Sequence, residues 1–196
     1  MAELLISPSS ALILLIDLQP YFLERAEHNM RPLIQRLEQL LILAPLVDVP
    51  VIATLEKPVA KKGGLPDSLD NRFPPDGRLF EKSTYSICGQ FEVMSAIGKE
   101  ERTQLIIAGG ETDVCVLQSV LDLIDGRFQV FVISDAIYSS ALDVSAAITR
   151  MRAAGATLIT YKSLFYELIR SESSQAWSQL DAQSGDSGFV PPEMIL

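Results

Sequence analysis

"QLIIAGGETDVCVLQSVLDLIDG", residues 104–126, is the stretch on which the fold turns. It opens with an apolar run from Gln104 to Ala108 and turns through two glycines and three polar or charged residues. It then carries leucine and valine at helical spacing as far as Gly126. A buried strand that feeds directly into an amphipathic helix is half of a βαβ unit, in which the strands run parallel and helices cover both faces of the sheet. A thiol, Cys115, stands where the helix begins.

The same alternation extends in both directions. Strands are predicted at Ala11 to Leu18, Val51 to Leu55, Leu79 to Glu81, Gln104 to Ala108, Phe128 to Ile133 and Thr157 to Thr160. Helices are predicted at Met30 to Val47, Gln90 to Gly98, Cys115 to Asp125, Leu142 to Ala154, Leu164 to Ile169 and Ser174 to Gln183. Gly126 and Gly155 follow two of these helices, at the place where a left-handed residue commonly ends one. The expected class is a three-layer, doubly wound α/β fold. Between Lys57 and Arg78, "KPVAKKGGLPDSLDNRFPPDGR" is long for a connection in one domain and suits a lid, a rim or a partner-binding loop.

Composition narrows the function. The chain has 196 residues, a hydrophobic content of 48% and a net charge of -9, which together describe a globular protein unsuited to counterion-release binding of nucleic acid. The longest apolar stretches are short or interrupted by Pro45, Asp48 and Pro50, so no membrane span is expected. The amino terminus lacks the pattern of an export signal. With two cysteines and one histidine there is neither a disulfide framework nor a Cys/His zinc pattern; a reducing cytoplasm fits best, and no metal or other cofactor is expected. His28 reads as solvated or part of a rim. Residues 1–170 are expected to form the main domain, and residues 171–196 a C-terminal helix and tail that is either disordered or packed on another subunit.

In open parallel sheets ligands bind beyond the carboxyl ends of the strands. That rule selects Asp17, near the end of the first predicted strand, and Glu56, Lys82, Cys115 and Asp135, which follow the second to the fifth. Asp17 follows six apolar residues, so it is partly desolvated and needs a partner; helix capping would satisfy it equally. A helix start favours a thiolate at Cys115, whereas Cys88 reads as a small buried hydrophobe. A carboxylate, an ammonium and a thiol meeting at one sheet edge would form a histidine-free nucleophilic site.

The ordered motifs "LLIDLQPYF", "FEKSTYS" and "GGETDVCV" together resemble the isochorismatase-like cysteine hydrolase family, over roughly Ala11 to Ile169. The resemblance implies a parallel sheet of order 3-2-1-4-5-6 and assembly into a homo-oligomer, a dimer or higher. It implies a catalytic Asp17, Lys82 and Cys115, a cis peptide at Gly110-Glu111, and an oxyanion hole formed by the backbone N–H groups of Glu111 and Cys115. The expected partner is a small-molecule substrate, a small amide, ester or related carbonyl compound attacked by Cys115 to give a thioester. Gln19, Phe22, Glu56 and Tyr85 are candidate pocket residues, although Gln19 and Glu56 also read as a turn residue and a surface acid.

The sequence departs from two better-known branches. Nicotinamidases bind a metal through an Asp and histidines after the second strand, where this chain has "TLEKPVAKKGG" and no histidine. True isochorismatases generally lack the nucleophilic cysteine. The motifs look closest to a poorly characterised branch of isochorismatase domain proteins. Two other classes remain compatible with the residues: an oligomeric scaffold with little turnover, and a thiol redox sensor centred on a low-pKa Cys115. A nucleotide-binding role is disfavoured, because neither G-x-G-x-x-G nor a Walker lysine is present.

Overall fold

The computed structural model describes residues 4–26, 29–171 and 173–183. A 3-10 turn, Pro8–Ser10, leads into β1, Ala11–Ile16, whose six residues are all buried. Next come α1 (Pro20–Leu23), α2 (Arg31–Leu46), β2 (Val51–Glu56), α3 (Val59–Lys62), α4 (Asp67–Asp70), β3 (Arg78–Lys82) and α5 (Phe91–Lys99). The second half contains β4 (Gln104–Gly110), a π-turn (Thr112–Val116), α6 (Leu117–Asp125), β5 (Gln129–Tyr138), α7 (Ser145–Ala154), β6 (Thr157–Ile159), α8 (Tyr161–Ile169) and α9 (Gln175–Gln183). All strand pairs are parallel and the order is β3-β2-β1-β4-β5-β6.

Strand periodicity builds two cores. In β1, Ala11, Ile13 and Leu15 face a cluster with Leu37, Leu40 and Leu41 of α2 and Leu164, Phe165 and Leu168 of α8. Leu12, Leu14 and Ile16 face the opposite cluster, with Val93 and Ile97 of α5, Val120 and Leu123 of α6, and Met151 of α7. Burial on both faces explains why the strand reads as an unbroken apolar run.

The expected strands and helices are present with shifted ends. β5 continues to Tyr138 because its register against β4 jumps after Ile107, and the pairing resumes at Gly109 with Ile137. Asp135 lies in that irregularity, not beyond the strand. It accepts the backbone N–H of Tyr161 at 2.8 Å and pairs with Arg36 at 3.1 Å, so it ties α8 and α2 to β5. The helix predicted from Cys115 instead begins with the π-turn, and α7 starts at Ser145 instead of Leu142. Gly155 is left-handed at φ 115°, as expected; Gly126 has φ -68° and Arg127 takes the left-handed step at φ 66°. The Lys57 to Arg78 connection contains α3 and α4. In α9, Leu180 joins the core of its own chain, and the remainder of the tail and His28 lie outside the described residues.

Gly109 crosses beside β1 at φ 111°, and an added Cβ would collide with the carbonyl oxygen of Ile16. Gly109→Ala combines that collision with a conformation hostile to L residues, and is expected to lower the unfolding free energy by about 3 kcal/mol or more. Gly64, with open space around it, is the control: Gly64→Ala should change stability by no more than about 0.5 kcal/mol. Urea unfolding of the two variants measures the contrast.

Candidate functional site

Parallel register brings the chemistry to one edge. Ile16 is opposite Thr54 on one side and Gly109 on the other, and Glu56 is opposite Lys82. The residue after Ile16, the last residue of β3 and the turn after β4 therefore arrive at the same end of the sheet.

Asp17 and Lys82 form a fully buried ion pair, with Nζ 2.6 Å from Oδ2. Thr54 donates to the other Asp17 oxygen at 3.0 Å. The ammonium also donates to the carbonyls of Thr84 at 3.0 Å and Tyr85 at 3.2 Å, and to Cys115 Sγ at 3.6 Å. Cys115 donates to Glu56 Oε2 at 3.4 Å, and Glu56 Oε1 is held by Lys62. The carboxylates of Asp17 and Glu56 and the sulfur place one atom each within 4.8 Å of one another. Such a trio could ligate a divalent ion, but the Lys82 ammonium already stands among all three as their cation.

Backbone geometry aims these groups. Asp17 sits at φ 48°, a left-handed position that costs a non-glycine residue energy. Its carbonyl oxygen is held by the hydroxyl of Tyr138 at 2.7 Å and the N–H of Gln19 at 2.9 Å. The Gly110-Glu111 peptide is cis. After it, the carbonyl of Glu111 accepts the N–H groups of Val114 and Val116, which closes the π-turn that carries Cys115. Thr112 donates to the carbonyl of Tyr138 at 3.0 Å, and Ser119 ties the carbonyl of Cys115 at 2.6 Å to the backbone N–H of Ile87 at 3.1 Å.

The four pocket candidates separate. Glu56, which could pass for a surface acid, lies at the sulfur. Gln19 is fully buried and braces the backbone of Glu56: Nε2 donates to the carbonyls of Glu56 and Gly63, and Oε1 accepts the N–H of Glu56 at 2.7 Å. It therefore acts as a turn brace and presents no free polar atom to a ligand. Phe22 packs on the core edge-to-face with Tyr21, and Lys62 lies 5.3 Å above its ring. Tyr85 contributes its carbonyl, while the residue is 57% exposed. Lys62, Thr54, Ser119 and Tyr138 are additional site residues. Of these, Thr54 alone carried a signal, as a lone hydroxyl inside an apolar strand that needs a partner.

The electrostatics reverse one expectation. Burial, and then the charge of Asp17, push the Cys115 thiol well above its ordinary value of 9.0, with Lys82 opposing and Glu56 adding to the rise. That direction favours a neutral thiol over the low-pKa thiolate of a redox sensor. Burial also raises Asp17 against the opposing pull of Lys82, Cys115 and Thr54. Burial would raise Glu56 too, but the hydrogen bonds from Lys62 and Cys115 and the two lysine charges outweigh it and hold Glu56 below its usual value. Cys88, also desolvated, is pushed up to about 11.

Comparison with known proteins fits this geometry. The Isochorismatase domain profile matches residues 10–163. This chain belongs to the isochorismatase family. Among the family's members, isochorismatase domain-containing protein 2A of Mus musculus is 31% identical over 89% of this chain and 82% of its own length. The octameric hydrolase YcaC of Escherichia coli, of unknown specificity, superposes with a TM-score of 0.85 at 26% identity, covering 94% of this chain and 91% of YcaC. YcaC from Pseudomonas aeruginosa, solved with hexane-2,5-diol and covalent acrylamide, gives a TM-score of 0.82 at 26% identity, covering 94% and 99%. The isochorismatase-like chain is thus a family hydrolase. No helix among its described residues is long and apolar enough to cross a membrane.

Two measurements follow from the buried charges. Lys82→Met strands the Asp17 carboxylate and is expected to cost about 3–5 kcal/mol of stability, much of it recovered when Asp17→Asn is added. A urea double-mutant cycle reads that coupling. For Cys115 the folded pKa lies above the unfolded one. Its contribution to stability is therefore complete below about pH 9 and is lost as the pH rises further. Cys115→Ala should make the fall in stability above pH 9 shallower, by up to about 1.4 kcal/mol per pH unit, as measured by urea unfolding across that range.

Proposed function

We propose that the protein is a metal-independent cysteine hydrolase of small amides, esters or related carbonyl compounds, with Cys115 as nucleophile, Asp17 as proton acceptor and Lys82 as the balancing cation. The single observation that carries this reading is the buried convergence of the Asp17 carboxylate, the Lys82 ammonium and the Cys115 sulfur at the carboxyl edge of the sheet. Support also comes from P. aeruginosa YcaC, a relative solved with covalent acrylamide.

The chemistry is ordered by the proton. As the sulfur attacks a carbonyl carbon, its S–H turns from Glu56 to Asp17, which is also within its reach, and the proton passes to that carboxylate, whose raised pKa lies nearer that of a thiol than an exposed aspartate's would. Oδ2 of Asp17 touches the ammonium but receives no hydrogen bond of regular geometry, so acceptor capacity is in place. The new oxyanion is received by the backbone N–H groups of Glu111 and Cys115. Asp17 then returns the proton to the leaving nitrogen or oxygen, the C–N or C–O bond breaks, and an acyl thioester remains on Cys115. Water, deprotonated by Asp17, attacks the thioester; the acid departs and the thiol is restored. No cofactor enters this scheme. The octameric state described for E. coli YcaC supports a homo-oligomer here, which light scattering would size.

Cys115→Ala is expected to lower turnover by about 10⁴-fold or more and to abolish the acyl adduct found by mass spectrometry of the wild type during turnover. A Cys115→Ala enzyme with wild-type turnover would remove Cys115 as the nucleophile.

A further inference from the structure

Glu56 meets the sulfur from the side opposite to the nucleophile turn. It is the last residue of β2, whereas Cys115 follows β4, and β1 lies between the two strands. Its backbone is fixed on both sides by the buried Gln19. One side-chain oxygen, Oε1, is held by Lys62, which is itself anchored on the carbonyl of Lys57 at 2.8 Å. The other, Oε2, accepts a hydrogen bond from Cys115 Sγ at 3.4 Å and lies 3.7 Å from the Lys82 ammonium, beyond hydrogen-bond reach. The side chain is only 14% exposed.

The consequence appears when the thiol gives up its proton. Oε2 then loses its hydrogen-bond donor, while Glu56 remains ionised under the two lysines. A carboxylate oxygen at a largely desolvated position requires a new donor. The group that arrives beside the sulfur at that moment is the substituent on the carbonyl carbon under attack. If the carbonyl oxygen is received by the backbone N–H groups of Glu111 and Cys115 after β4, as proposed above, that substituent can face Glu56 at the end of β2. An amide N–H completes the hydrogen bond. An ester oxygen meets Oε2 lone pair to lone pair, and a carboxylate meets it charge to charge.

We propose that Glu56 determines specificity: its Oε2 accepts an N–H from a neutral primary amide held beside the sulfur, so the site selects such groups over esters and excludes those with an anion next to the reacting carbon. This rests on Cys115 being the nucleophile. The Glu56 carboxylate stays charged throughout and is not a proton carrier. Asp17, within 4.8 Å of it and of the sulfur, supplies the proton with which the nitrogen leaves as ammonia.

The test uses three thiol alkylators of similar size: iodoacetamide, methyl iodoacetate and iodoacetate. Their rates at Cys115, read by peptide mass spectrometry on the full-length protein, are each divided by the rate with glutathione. In the wild type, iodoacetamide is expected to lead methyl iodoacetate by about 10-fold or more, and iodoacetate to trail both. Glu56→Ala should bring all three ratios together. Glu56→Gln keeps a neutral carbonyl acceptor and fills the same space, so it should retain part of the amide preference while losing the exclusion of iodoacetate. It also carries the test if Glu56→Ala does not fold. Reagent ratios at Cys115 that are the same in the wild type and Glu56→Gln would overturn the assignment and leave the nucleophile intact. A Cys115 untouched by every reagent while Cys88 reacts would overturn both.

Discussion

The Lys82 ammonium is the constraint on which the site depends. A lysine with no solvent exposure has lost its hydration, and the cost is offset only because the fold surrounds it with acceptors: the Asp17 carboxylate, two carbonyls of the following turn and the sulfur. Each acceptor comes from a different place in the chain. β1 delivers Asp17, the segment after β3 delivers Thr84 and Tyr85, and the turn after β4 delivers Cys115. Displacing any of these segments would leave a buried charge exposed to an apolar interior, so the ammonium fixes the positions of the three corners as much as they fix it. It also supplies, at a fixed point, the positive charge that a metal ion would bring to two carboxylates and a thiol.

Backbone corners then convert that charge balance into aim. Asp17 is turned by a left-handed residue, and Gly109 at φ 111° passes close against the carbonyl of Ile16. Tyr138 joins the two: its hydroxyl holds the carbonyl of Asp17, its own carbonyl holds Thr112, and its ring occupies the space a side chain at Gly110 would need. The longer β5 has a structural purpose in this light. The register shift in β5 carries Tyr138 up to the site, and the residues released by the shift include Asp135, which secures α2 and α8 instead of reaching a ligand.

The architecture was legible in the sequence because strands buried on both faces write themselves as unbroken apolar runs, and the helices between them keep their spacing. Asp17 stands out as an acid directly after the apolar run of β1, whereas Lys82 and Cys115 carry no such local mark and are singled out by the ordered motifs "FEKSTYS" and "GGETDVCV". What the sequence withheld were partnerships across the sheet. Glu56 reads like a surface acid because nothing local announces that Lys62 will fold back on it through α3, or that Gln19 will clamp its backbone from the end of β1. Tyr138 lies beyond the apolar part of its strand, so periodicity stops short of it. A helix start alone points to a thiolate at Cys115; the local structure is a π-turn, and burial, then the charge of Asp17, push the thiol up instead.

The Asp17 and Glu56 carboxylates differ in a way that gives each a distinct capacity. Asp17 has one strongly engaged cation and almost no solvent, and desolvation wins, so its proton affinity rises. Glu56 is less deeply enclosed and is bracketed by two lysines and the thiol, so its charge persists. A raised acid can take and return a proton; a stabilised anion can only accept hydrogen bonds and repel like charge. On the proposed reading, with the thiol favoured as neutral between them, the nucleophile would form only as its proton moves, and that movement would be favourable only when a carbon centre is present to share the sulfur's electrons. Reactivity so proposed is tied to occupancy, and the carboxylate that stays charged would be the group that discriminates among occupants.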